Sequence, residues 1–154
     1  MSHPPRLILD DRGVSRALHE LWLPHIDPDA IWVIGGELPD HDLERDIVPF
    51  VMLSPLDVAA VAAEAGGGDL RILAVFCSTS ALKQAAAMGL GPDKVTITSL
   101  NSEGGERRIA ASVHVSETEL SELADAERRG FSYEIQGLPN VTPRTWRPAA
   151  EGQG

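Results

Sequence analysis

A chain of 154 residues is long enough to bury a substantial core and short enough to form one domain. Hydrophobic residues at 43% and charged residues at 23% lie near globular averages and exclude wholesale disorder or a fibrous repeat. A formal net charge of -10, with a pI near 4.8, works against binding to DNA, RNA or an anionic membrane face.

No apolar run approaches the ~20 residues that span a bilayer, and residues 1–6 lack the charged start and apolar centre of a signal peptide. The expected setting is therefore the cytosol, without direct membrane insertion. Cys77 is the single cysteine, which excludes an internal disulfide and a cysteine-rich zinc cluster. It reads as a buried small hydrophobe.

The first apolar run, Arg6-Leu7-Ile8-Leu9, ends in Asp10-Asp11 and reads as a buried strand with acids at its carboxyl end. A loop over residues 10–15 follows. Val14, Ala17, Leu18, Leu21 and Trp22 then recur at helical spacing, which predicts an amphipathic helix ended by Pro24. Its polar face carries Ser15, Arg16, His19 and Glu20, with Ser15 and His19 one turn apart. Ala30-Ile31-Trp32-Val33-Ile34 is a second buried strand, and Gly35-Gly36 lets its end turn tightly. A weaker helix is expected over residues 40–47. Phe50-Val51-Met52-Leu53 is a short strand leading into Ser54-Pro55-Leu56-Asp57, which supplies the cap, proline and acid of a helix start. The alanine-rich helix from Pro55 should end near Gly66. Gly66-Gly67-Gly68 follows a helix rather than a strand, so it reads as a stop and not a phosphate loop.

Arg71-Ile72-Leu73-Ala74-Val75-Phe76 is a strong strand, followed by a helix over residues 80–88 with Gly89 as its stop. Repeated β-then-α units imply a largely parallel sheet with helices on its faces. Residues 94–100 form a strand, Gly104-Gly105 suits a turn, and Ile109, Ala111, Val113 and Val115 alternate inward, which predicts an antiparallel hairpin. Ser116-Glu117-Thr118-Glu119 is a capping box opening a helix that stops at Gly130, and residues 132–136 form a last short strand. The expected architecture is α/β with three layers: a mostly parallel central sheet, an antiparallel hairpin at one edge, and helices on both faces. Residues 1–5 read as an N-terminal tail, 6–139 as the domain, and 140–154 as a poorly ordered tail onto whose host Trp146 docks.

Ligands of open α/β sheets bind beyond the carboxyl ends of the parallel strands. That edge collects residues 10–15, Gly35-Gly36, residues 77–79 and residues 98–102. Asp11, Arg12 and Gly13 beside a helix start suit a phosphoryl group: helix end and guanidinium supply positive potential, and the carboxylate orients a partner. The plainer role for Asp10 or Asp11 is to cap the helix. His3, His19, His25, His41 and His114 include no i, i+4 pair, so no metal site is expected. His25 and His114 read as solvated surface residues; His19 is the titratable group nearest the loop.

The order of elements and the residues Asp10-Asp11-Arg12 resemble the mannose/sorbose-family IIB subunit of the bacterial sugar phosphotransferase system (PTS), which reads D-D-R-L-I-H-G-Q after its first strand. The resemblance extends over nearly the whole chain: residues 30–35 match the second strand, 71–76 the apolar strand that the family follows with K-N-P, 95–115 an ungapped segment, and 116–139 the last helix and strand. It implies a cytoplasmic protein that takes a phosphoryl group on the first-loop histidine from a IIA partner and passes it to a sugar entering through a membrane permease, with no cofactor. It implies site residues Asp11, Arg12, Gly13, Ser78, Thr98 and Ser99 around the phosphoryl group. A homodimer is compatible with it. In this sequence the histidine position is Ser15, K-N-P is Cys77-Ser78-Thr79, and G-G-M is Thr98-Ser99-Leu100. A phosphoserine ester does not pass its phosphoryl group onward as a phosphohistidine does, and serine without a base is a weak nucleophile. The expectation is a IIB-like protein, degenerate at the acceptor, acting as a regulatory or binding module rather than as the family's transferase. An active phosphocarrier through His19 is the alternative. A second alternative is a degenerate receiver domain, from Asp10-Asp11 and Asp40-His41-Asp42, with Gly35 at the acceptor position.

Overall fold

The structure is a computed structural model that describes residues 5–12, 18–36, 50–65, 71–91, 94–101, 107–110 and 113–148. Strands β1 (Arg6–Asp10), β2 (Ala30–Ile34), β3 (Phe50–Leu53), β4 (Ile72–Phe76) and β5 (Lys94–Asn101) form a parallel sheet in the order β3-β2-β4-β1-β5. Their near-continuous apolar runs follow from burial on both faces. Ile8, Ile31, Val33, Leu73 and Val75 point to one face, where Trp22 and Leu23 cover them. Leu7, Leu9, Trp32, Ile34, Ala74 and Phe76 point to the other. There they meet α2 (Val58–Ala65), α3 (Thr79–Ala87) and α4 (Glu117–Arg128), which completes the three layers.

Beyond β5 the sheet forks. The first half of β5, through Ile97, pairs in parallel with β8 (Ser132–Ile135), and β8 pairs antiparallel with β9 (Arg144–Trp146). The end of β5, Leu100 and Asn101, pairs in parallel with β7 (Val113–Val115), which pairs antiparallel with β6 (Arg107–Ala110). The antiparallel hairpin at the edge is thus β6 with β7. Residues 107–115 are not one strand returning along β5, because alternation alone does not distinguish one long strand from two short ones. Residues 144–146, assigned to the tail from their prolines and polar neighbours, form β9: Trp146 is buried against Tyr133, ring centroids 5.9 Å apart.

Two helix boundaries differ from the sequence pattern. A π-helical stretch, Leu18–Trp22, runs into α1 (Leu23–Ile26), so the helix continues past Pro24, which sits in the first turn of α1. A wider turn lets the chain pass a residue with no N–H to donate. The second helix begins at Val58 rather than Pro55, because Ser54 closes a turn instead: its Oγ accepts from the N–H of Leu56 at 3.2 Å, and its carbonyl from the N–H of Asp57 at 3.0 Å. The capping box of α4 is present, with Ser116 and Glu119 bonding each other's backbone N–H. The helix expected over residues 40–47 and the triple glycine lie outside the described residues. His114 is half-buried rather than a solvated surface residue, and its Nδ1 is buried; His25 is exposed, edge-on to Trp22.

Tyr133 ties β8 to α4 by donating its buried hydroxyl to the carbonyl of Leu123 at 2.8 Å. Tyr133→Phe is expected to lower unfolding stability by about 1–2 kcal/mol in a urea titration; no change would show that the bond contributes nothing.

Candidate functional site

The strand order places a crevice at the carboxyl ends of β1 and β4. The chain leaving β1 leads to α1 on one face, and the chain leaving β4 enters α3 on the other, which makes this a topological switch point. Around it the described candidate residues gather on a residue that the sequence pattern left as a helix cap: Asp10.

Asp10 is fully buried. Burying a carboxylate is tolerable only with partners, and it has several. Oδ1 accepts from the backbone N–H of Arg12 at 2.9 Å and from Arg12 Nε at 3.1 Å. Oδ2 accepts from Arg12 Nη2 at 3.0 Å and from the Thr98 hydroxyl at 2.7 Å. The guanidinium is therefore bidentate on Asp10, in the fork geometry that favours arginine over lysine. A bulge supplies the threonine: Leu9 is opposite Ile97 but Asp10 is opposite Ser99, so Thr98 is the extra residue on β5 and its buried hydroxyl reaches the acid. Asp11, by contrast, is exposed; its N–H donates to the Ser99 carbonyl at 3.1 Å, and the Ser99 hydroxyl donates to Asp11 Oδ1 at 3.4 Å.

Arg12 keeps nearly half its side chain in solvent, at 47% exposure, while its acid is at 1%. The hydrogen bond to Asp10 pushes the guanidinium pKa up; partial burial opposes this, and the charges of Asp10 and Asp11 add to the rise. Arg12 is a fixed positive charge at every physiological pH.

Across the crevice, Ser78 caps α3, its Oγ accepting from the N–H of Ala81 at 3.0 Å. Beside it, Cys77 is partly buried against Gly36, where a side chain would collide with the Cys77 Sγ and Cβ, while Gly35 turns with φ +74. Burial, and then the nearby charge of Asp10, pushes the Cys77 thiol up from its ordinary 9.0 to about 11. Two consequences follow. At pH 8 the folded protein should react with iodoacetamide roughly a hundredfold more slowly than the unfolded chain, because that shift removes thiolate. The raised folded pKa also means that the unfolded chain loses its thiol proton first, so this contribution to stability falls as pH rises from 9 to 11. A folded-state alkylation rate equal to that of the urea-unfolded chain would contradict both.

Arg12, Asp11, Thr98 and Ser99 are thus brought together around Asp10, and Ser78 stands across the crevice. Gly13, Ser15 and the His19 side chain lie outside the described residues; the backbone of His19 belongs to the Leu18–Trp22 stretch. Asp10 had a legible signal: it shares strand parity with Ile8, so its carboxylate falls in a row of buried side chains.

No family model matches the sequence, and no curated protein matches it. Solved structures do match in three dimensions. The N-acetylgalactosamine-specific IIB component 1 of the PTS from Escherichia coli superposes with a TM-score of 0.72 at 15% identity, over 93% of this chain and 99% of that one. The protein manxB from Thermoanaerobacter tengcongensis gives 0.75 at 17% identity, over 97% and 98%. The IIB domain of the sorbose permease from Klebsiella pneumoniae gives 0.73 at 11% identity, over 92% of each. The chain has the fold of PTS IIB components. That fold also removes the receiver reading: receiver-like sheets run 2-1-3-4-5, whereas the first five strands here run 3-2-4-1-5. No helix among the described residues is long and apolar enough to cross a membrane.

Proposed function

We propose that this chain is a mannose/sorbose-type IIB-like protein of the phosphoenolpyruvate-dependent PTS that no longer carries phosphate by the first-loop route and acts as a regulatory or binding module. It works in the cytoplasm beside a IIA-type phosphodonor protein and a membrane sugar permease. The observation that carries this reading is the end of β1. Arg12 is held at the carboxyl edge by a buried carboxylate, itself bonded by the buried Thr98 hydroxyl, at the start of a loop whose acceptor position by the resemblance is Ser15. The positive charge that suits a phosphoryl group is retained; the nitrogen nucleophile is not.

The chemistry follows from that difference. A donor phosphohistidine loses its high transfer potential on forming a serine ester, which lies level with a sugar phosphate and so leaves no driving force for passing the group on. An alcohol nucleophile also needs a base to take its proton. Arg12 is cationic, and Asp10 is already engaged by Arg12 and Thr98, so neither serves as that base. Asp11, Arg12, Gly13, Ser78, Thr98 and Ser99 remain the residues proposed to surround a partner's phosphoryl group.

A working carrier through His19 is the second reading, favoured by its place in the first helical segment after the loop. Incubation with phosphoenolpyruvate, the general phosphotransferase proteins and a matching IIA separates the two. The module reading expects no histidine-linked label; the carrier reading expects label that disappears in His19→Ala.

A further inference from the structure

The fork in the sheet leaves a cleft that runs from Arg12 and Thr98 out to β9, beyond the residues gathered around Asp10. Pairing of β5 with β8 stops at Ile97 and pairing with β7 starts at Leu100, so the two branches diverge on either side of Thr98. Between them lies a cleft of about 490 Å³, within the size range of small-molecule sites. Thr98 and Arg12 lie at its base, Ala110 of β6 on one side, and Ile135, Leu138, Val141 and Arg144 on the other.

Three observations say what it would hold. First, its lining carries guanidiniums and no acid: Arg12, which is paired with Asp10, and Arg144 line it, and among the described residues no aspartate or glutamate does, in a chain of net charge -10. Second, Arg144 is positioned without being neutralised. Its Nη2 donates to the carbonyl of Ile109 at 2.7 Å, bridging the two branches, and among the described residues no carboxylate pairs with it. Third, the apolar wall is built rather than incidental. The buried Gln136 side chain donates to the carbonyls of Pro139 at 3.2 Å and Val141 at 2.7 Å, which folds the segment presenting Leu138 and Val141, each more than 40% exposed. An exposed apolar wall beside guanidiniums fits a ligand with an anionic head and an apolar body.

The geometry points to a non-covalent binding site in the fork for a small amphipathic anion, a phosphate or carboxylate on an apolar group, with Arg144 and Arg12 at the head and Leu138 and Val141 against the body. This inference rests on the lining of the cleft and not on the loss of phosphoryl transfer. It shares Arg12 and Thr98 with the residues proposed to surround a phosphoryl group, and the substitutions that test it, at Arg144 and Leu138, lie outside that set.

Phenyl phosphate, titrated into the full chain without phosphoenolpyruvate or partner proteins and followed by amide NMR, tests it. Saturable binding is expected to move resonances of residues 136–144, with inorganic phosphate about tenfold weaker for want of an apolar body and benzyl alcohol weaker still. Arg144→Gln should weaken phenyl phosphate about tenfold. Because Arg144 also bridges two strands, Leu138→Ser provides a second variant that leaves the framework untouched: it should weaken phenyl phosphate and leave inorganic phosphate unchanged. Equal affinity for phenyl and inorganic phosphate, or affinity for phenyl phosphate unchanged by both substitutions, would overturn the assignment.

Discussion

Arg12→Leu should destabilise the protein more than Asp10→Asn, by about 2–4 kcal/mol against about 1–2 kcal/mol in urea titrations. The asymmetry comes from exposure. Asp10 has 1% of its side chain in solvent and Arg12 has 47%. Removing the guanidinium leaves a buried carboxylate with, among the described residues, the Thr98 hydroxyl and the backbone N–H at position 12 as its remaining donors. Removing the acid's charge frees an arginine that can turn into water. The values sit below those for fully buried pairs because solvent already screens one partner. In the double variant no buried charge remains, so its cost should fall well short of the sum of the two single costs. Additive costs, or a larger loss for Asp10→Asn, would show that the pair is not the organising contact at the end of β1.

Phe76→Ala is expected to cost more than any single change at the site, about 3–5 kcal/mol. The order β3-β2-β4-β1-β5 puts β4 between β2 and β1, with Phe76 opposite Ile34 on one side and Leu9 on the other. The ring is fully buried in the core on the side of α3 and α4. A cavity there has no free edge into which neighbours can collapse, and it lies one residue before Cys77 at the crevice. A loss below about 1 kcal/mol would contradict the central placement of β4.

The fold was legible in the sequence where local pattern and burial agree. The apolar runs of β1, β2 and β4, the Ser116 capping box, and the Gly89 and Gly130 stops all carry their cause in a few adjacent residues. The fork was not legible, because it depends on where β5 changes partner, and pairing between residues 97 and 135 or 100 and 113 leaves no mark on either segment alone. β9 was hidden for the same reason: a three-residue strand among prolines and polar residues is held by pairing with β8, where Trp146 lies opposite Tyr133 with the two rings tilted at 56°. Within the site, Arg12 is legible as a guanidinium beside a helix start at the carboxyl edge of the sheet, and Thr98 through the resemblance to the IIB pattern. Asp10, the residue that holds them, was passed over because an acid at a strand end beside a helix start also fits a cap.

The central claim is that position 15 ended histidine phosphorylation in a protein that otherwise has the IIB fold. Phosphorus NMR of the unmodified chain, recorded while phosphoenolpyruvate, the general phosphotransferase proteins and a IIA partner turn over, tests it most directly. The account predicts no protein phosphoramidate resonance beyond those of the donor proteins. A phosphoramidate resonance on this chain, stable in base and lost in acid, would contradict it.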